Sequence, residues 1–149
     1  MIWTNKAFDA LTPGELYAIL QLRSEVFVVE QNCIFQDMDN KDVFCHHLMC
    51  WEKETLMAYA RIVPAGISYA ESSIGRIVSS PAARGMGIGK ELIRQSISLC
   101  YTLHGKGIIR IGAQYYLKGF YESFGFGQDS EIYLEDGIEH IEMLLLIKR

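Results

Sequence analysis

Residues 84–90 read RGMGIGK, with Gly85, Gly87 and Gly89 on alternate positions between Arg84 and Lys90. Glycine lets a backbone approach a ligand closely, and the unpaired amides and dipole of a helix's first turn favour an anion, so a diphosphate would fit this stretch. A tight turn with Arg84 as a solvated surface charge would use the same residues. Two phosphate loops are excluded by their own chemistry. A P-loop needs a glycine five positions before its Gly-Lys and a Ser or Thr after the lysine to reach magnesium; here Arg84 and Glu91 stand at those places. A dinucleotide-binding turn needs its third glycine three residues after the second, and Gly87 is followed at that distance by Lys90.

Metal chemistry finds little support. Cys33, Cys45, His46, His47 and Cys50 lack zinc-ligand spacing, and Cys100 completes no C-x-x-C pair, so free thiols and no metal are expected. In the acidic stretch FQDMDNKD, Lys41 occupies the third acidic position of an EF-hand-like pattern, which disfavours calcium.

The elements that would carry the glycine loop are predicted from periodicity. Thr12, Pro13 and Glu15 form a capping box with a helix-starting proline, and Leu16, Ile19, Leu20, Arg23 and Phe27 then share one face. Arg23 breaks that apolar face and needs a partner or a ligand. HHLMCWE and LMAYARIV, joined through KET, predict a hairpin. IGRIVSS predicts a strand ended by Pro81, and Ile88 to Leu103 a helix capped by Gly105. GIIRIGA predicts the next strand, so strand, glycine turn, helix and strand make a right-handed crossover between parallel strands. A short helix in YYLKGFYESFG and a terminal hairpin turning at Asp136-Gly137 complete an α/β fold with a mixed, mostly antiparallel sheet.

With 149 residues, half of them hydrophobic and 21% charged, the chain has the balance of one globular domain over 1–149 with a sizeable core. MLLLI is far too short to span a bilayer, and the N-terminus does not read as a secretion signal, so a cytoplasmic protein without membrane association is expected. The net charge is −4 and no Lys/Arg stripe interleaves with aromatics, which excludes the electrostatic footprint of nucleic-acid binding.

Arg84-x-x-Gly87-x-Gly89 between a strand and the crossover helix resembles the acetyl-coenzyme A pyrophosphate loop of the GNAT N-acetyltransferases, and FYESFGF resembles that family's Y-x-x-x-G-F signature through Tyr121, Gly125 and Phe126. LRSEVFVVEQNCIFQDMDNKD and EDGIEHIEM resemble the ElaA-type branch. The resemblance implies the acyl-CoA N-acyltransferase fold, whose two central parallel strands splay apart with helices flanking the sheet. It implies acetyl-CoA as acyl donor and an amine-bearing small molecule or peptide as acceptor, in a monomer or homodimer.

Residue by residue, the resemblance places the pantetheine arm along Arg76, Ile77 and Val78. The pyrophosphate falls on Arg84, Gly85, Met86, Gly87, Ile88, Gly89 and Lys90. A backbone amide near Val78 would face the oxyanion, a role in which one donor is worth about 3 kcal/mol. Tyr121 matches the general acid for the leaving thiolate; an aromatic packing the sheet edge is its plainer role. Gln114 stands seven residues before Tyr121, where many members carry asparagine. His140, Glu30 and Glu25 are candidates for the base, and a structural histidine is as consistent with His140. Arg23, Glu30, Asp37, Asp39 and Asp42 form either a substrate entrance attractive to a protonated amine or a solvated loop. LRSEVFVVE also resembles the R-x-x-V-F-x-x-E pattern of acyl-homoserine lactone synthases, a second enzyme reading. A non-catalytic acetyl-CoA-binding sensor or partner domain is the third.

Overall fold

The computed structural model describes residues 1–147. The strands are β1 (Ile2–Ala7), β2 (His46–Glu52), β3 (Thr55–Val63), β4 (Ser72–Ser79), β5 (Ile109–Gln114), β6 (Gly127–Gln128), β7 (Tyr133–Glu135) and β8 (Ile138–Leu145). They form one mixed sheet in the order β1-β2-β3-β4-β5-β8-β6, with β7 also beside β8. Among these strands only β4 and β5 run parallel, as a crossover through a helix requires. The β2–β3 and β7–β8 hairpins lie where the alternation and the Asp136-Gly137 pair predict them; both turn residues of the second take positive φ, +51° and +78°.

Helix α1 (Pro13–Arg23) starts at the predicted capping box: Thr12 Oγ1 accepts from the Glu15 amide at 3.1 Å, and the Thr12 amide donates to Glu15 Oε1 at 2.8 Å. The helix does not stop at Arg23. Ser24–Glu30 continues it in π-helical turns, with Gln31 donating to the Val26 carbonyl and Cys33 to that of Val28. Helix α2 (Ile88–His104) fills the crossover and ends at Gly105, and α3 (Lys118–Glu122) is a single short turn further on.

The sheet separates two cores. Leu92 and Ile93 of α2 pack with Ala58, Ala60, Ile111, Ile141 and Met143, while Ile19, Leu22 and Val26 pack on the opposite face with Met49, Tyr59 and Val78. Truncating a side chain as buried as Leu92 to alanine costs about 2–5 kcal/mol. Strand alternation fixes what faces the second side beyond α1. Because Ile109, Ile111, Ala113, Ile141 and Met143 point to the α2 core, Arg110, Gly112, Gln114, His140 and Glu142 point the other way, leaving a polar trough beside α1. Among the described residues no helix is long and apolar enough to cross a membrane.

Candidate active site

Strands β4 and β5 pair only at Ser72 with Ile109 and Ser73 with Arg110, and diverge from there. The divergence coincides with a bulge in β4. Tyr59 pairs with Val78 and Arg61 with Gly75, so Arg76 and Ile77 together oppose Ala60. Ser80 donates its amide to the Met57 carbonyl at 2.8 Å. Antiparallel pairs alternate, so Val78 faces β3 while the amides of Ile77 and Ser79 turn into the gap. That gap opens a cleft of about 1030 Å³, walled by Ile77, Val78 and Arg84 on one side and by Gly112, Gln114, Tyr121 and His140 on the other.

At the end of β4, Ser80 caps a single tight turn over Pro81–Ala83, and the chain passes through Gly85 (φ +83°) and Gly87 (φ +72°) into α2. Gly87 takes the left-handed cap conformation that a side chain disfavours, and space beside it is open. Glu91 donates to the Gly87 carbonyl at 3.5 Å, so the amides of Ile88, Gly89 and Lys90 lie in the turn that no helical carbonyl reaches, and Gly87 brings no side chain to cap them. Free amides on one side and the unpaired edge of β4 on the other suit a ligand with a diphosphate and an amide-bearing arm, which is what coenzyme A presents. Met86 is exposed, and Arg84 brings a positive charge from the loop to the border of the cleft.

Two consecutive residues from the π-helical end cross the mouth of this cleft. Glu30 pairs with Arg84 at 2.5 Å, and Gln31 Oε1 accepts from Gln114 Nε2 at 3.3 Å. Two of the residues expected to hold the donor, Arg84 and Gln114, are thereby engaged by one segment. Glu25 is exposed and lies off the cleft.

Tyr121 is buried against Phe120 and Phe126 in edge-to-face contacts and lines the cleft. Burial, with Tyr116 adding to it, pushes its hydroxyl up to about 12, so it keeps its proton throughout the neutral range. His140 faces the same cleft from β8, its Nδ1 donating to the Ile138 carbonyl at 2.8 Å, its Nε2 3.3 Å from Glu135 Oε2, and its ring stacked on Tyr133. The hydroxyls of Tyr69 and Tyr133 converge over Gly112, 2.8 and 3.4 Å from where a β-carbon would stand, so a side chain there would push the Tyr69 hydroxyl aside. Burial, and then the neighbouring Tyr69, Glu135 and Glu142, pushes Tyr133 up to about 12.

The acidic stretch corrects an expectation. Arg23 is fully buried, with Nε 2.7 Å from Asp37 Oδ2 and Nη1 2.8 Å from Asp42 Oδ1. Arg61 grips Asp39 through two 2.8 Å bonds and reaches Asp42 at 3.0 Å. Arg23, Asp37 and Asp42 thus belong to an interior network and not to a substrate entrance or a solvated loop; of the set only Asp39 and Glu30 border the cleft. A guanidinium without water must be surrounded by carboxylates, which is why three aspartates gather there. Burial works to raise Asp39 and Asp42, but Arg61 on the first, and Arg23 then Arg61 on the second, hold both carboxyls below the usual range. His47 adds a relay, Nδ1 2.6 Å from Tyr59 Oη and Nε2 2.9 Å from the Asp42 carbonyl oxygen, with Tyr59 beneath Arg23. All four cysteines are free and buried.

Sequence reasoning passed over Gln31, Arg61, Tyr69, Gly112 and Glu135. Arg61 had a signal in hand: it is the one charge inside the apolar run LMAYARIV, like Arg23 in its helix.

A family model described as an acetyltransferase (GNAT) domain matches residues 18–147. Protein ElaA of Escherichia coli K12 is 41% identical over 143 residues, covering 95% of this chain and 94% of that one, and its crystal structure superposes with a TM-score of 0.90. The crystal structure of an acyl-CoA N-acyltransferase from Pseudomonas aeruginosa, 42% identical, superposes with a TM-score of 0.92 over 97% of this chain and 99% of its own. A CoA-dependent acyl-homoserine lactone synthase solved with SAM and isopentyl-CoA shares the fold at a TM-score of 0.77, over 99% of this chain and 82% of its own, at 14% identity. With the splayed strands, the amide-lined loop and these relatives together, the chain belongs to the GNAT family of acyl-CoA-dependent acyltransferases, in its ElaA-type branch.

Proposed function

We propose that this single domain transfers the acetyl group of acetyl-CoA to a primary amine of a small molecule or peptide by direct attack of the amine on the thioester. The observation that carries the reading is the divergence of β4 from β5, which leaves the Ile77 and Ser79 amides facing a gap that ends at the amide-lined loop. In this reading the amides of residues 87–90 and the Arg84 guanidinium hold the diphosphate, and the unpaired edge of β4 takes the pantetheine arm as an added strand would. The Ile77 amide, next to Val78, donates to the thioester oxygen as negative charge grows on it.

The opposite wall supplies the proton chemistry. Tyr121, protonated up to about pH 12, gives its proton to the departing sulfur. Among the base candidates His140 is favoured. Glu30 is held by Arg84 and Glu25 lies off the cleft, whereas a His140 ring that donates through Nδ1 keeps a lone pair on Nε2, with Glu135 beside it once the ring takes the proton. The trough over Gly112, with Tyr69, Glu135 and Asp136 at the cleft, receives the amine; its carboxylates favour a cationic acceptor.

The test is release of free thiol from acetyl-CoA across a panel of amino acids, polyamines and peptides, with thermal unfolding followed in parallel. Thiol release with at least one amine is expected. Stabilisation by acetyl-CoA without release would make the domain a sensor, and no stabilisation at all would remove the donor.

A further inference from the structure

Among the described residues with a left-handed backbone, Asn32, Asn40, Lys53 and Asp136 sit in turns and loops, and Arg76 alone sits inside a strand. Its φ is +49°, a conformation that glycine adopts freely and arginine does not, although Gly75 stands one residue away with ordinary geometry. Something must hold Arg76 there, and its side chain shows what does. Nε lies 2.8 Å from Asp37 Oδ1, and Nη2 lies 2.8 Å from the Asp37 carbonyl oxygen and 3.4 Å from Asp39 Oδ2. Every one of these contacts reaches residues 37–39. Those aspartates are themselves fixed from below, Asp37 by Arg23 and Asp39 by both nitrogens of Arg61. Arg61 immediately follows Ala60, the residue that the bulge opposes, so Arg61, Asp39 and Arg76 form a bracket across β3 and β4 at the point where β4 leaves β5.

We infer that Arg76 is a positioning residue for acyl transfer: its guanidinium, gripped by Asp37 and Asp39, holds β4 in the bulge that opens the gap and turns the Ile77 amide into it. The bulge is thereby conditional on the seating of residues 37–39. A solvated arginine would give the left-handed backbone no such support, and a glycine would form the bulge without the acidic loop. The inference rests on the reading in which the Ile77 strand edge receives the acyl donor.

Two substitutions separate backbone from side chain. Arg76→Gly removes the bracket but also the reason for needing it, whereas Arg76→Ala removes the bracket and keeps the strain. Acetyl-CoA affinity is measured by calorimetry, and the Ile77 amide is followed by 1H–15N NMR and hydrogen exchange. Arg76→Ala is expected to bind acetyl-CoA about tenfold more weakly than Arg76→Gly, with its Ile77 amide more protected from exchange as β4 straightens. Equal affinities and equal Ile77 exchange protection in the two variants overturn the inference, since a merely structural arginine would lower stability in both alike. If Arg76→Ala does not fold, Asp39→Asn serves instead: a shift of the Ile77 signal with weakened binding is expected, and an unmoved signal overturns the inference. Ile77 exchange protection that differs between the two variants of a protein that binds no acetyl-CoA would sustain the bracket and sink the donor reading.

Discussion

The two flanks of β4 are made from different material. The loop side is backbone: the edge of β4, the turn after Ser80 and the first amides of α2, all contributed by contiguous residues. The far side of β4 is side chain: Arg23, Arg61 and Arg76 against Asp37, Asp39 and Asp42, partners that lie 14 to 39 residues apart in the chain. A site made of amides tolerates changes of side chain so long as φ is respected. One made of buried charge tolerates almost none, because each removal leaves an opposite charge without water or partner.

The sharpest way to break the contrast is Asp42→Ala, which leaves Arg23 and Arg61 both short of a carboxylate; we expect a loss of about 3–5 kcal/mol in denaturant unfolding. Next is Tyr121→Phe, expected to lower kcat about a hundredfold with little change in the KM for acetyl-CoA, since the hydroxyl acts on the leaving group. The alkaline limb of kcat in the parent enzyme should not arise from Tyr121 below about pH 11, because the raised value keeps the proton on. Gly87→Ala tests the backbone side. With open space for the methyl but φ at +72°, it should cost about 1–2 kcal/mol of stability and raise the KM for acetyl-CoA, leaving the acceptor KM alone. The smallest effect is expected from Glu30→Gln, which frees Arg84 from a half-exposed pair. The KM for acetyl-CoA should fall about two- to threefold at low salt and converge with the parent at high salt.

Acid should act on the charged side first. Asp39 and Asp42 have folded-state values below those of an unfolded chain, so their contribution is present above about pH 4 and is lost as pH falls toward the folded values. The midpoint of denaturant unfolding, followed by circular dichroism, should therefore drop as the pH is lowered from about 5 to about 3. A midpoint that stays constant over that window would argue against the assignment.

Legibility in the sequence divides along the same line. The capping box, the two hairpins, the crossover helix and the glycine loop are local patterns, and each lies where its residues predict. Strand β1 carries no apolar alternation to announce it, because IWTNKA is half-exposed along an edge and paired only with β2. The π-helical turns of Ser24–Glu30 leave no periodic mark in seven residues. Arg23 declared that it needed a partner, but which aspartates would answer depends on how residues 31–45 fold back, a matter of long-range packing. Gly112 looks like any strand glycine until Tyr69 and Tyr133 arrive above it from two other segments.

The π-helical extension of α1 also makes chain length a variable in the chemistry. Its bonds span five residues where an α-helix spans four, so the segment holds extra chain between Arg23, which is locked in the interior, and Glu30 and Gln31, which cross the cleft mouth. Deleting one residue between Ser24 and Val29 would let the turns relax to α geometry with the downstream residues close to their present direction, because the wider turns take up about one extra residue. Glu30 and Gln31 would then keep their reach to Arg84 and Gln114, whereas the same deletion in the regular α turns of Pro13–Arg23 would rotate all that follows by about 100°.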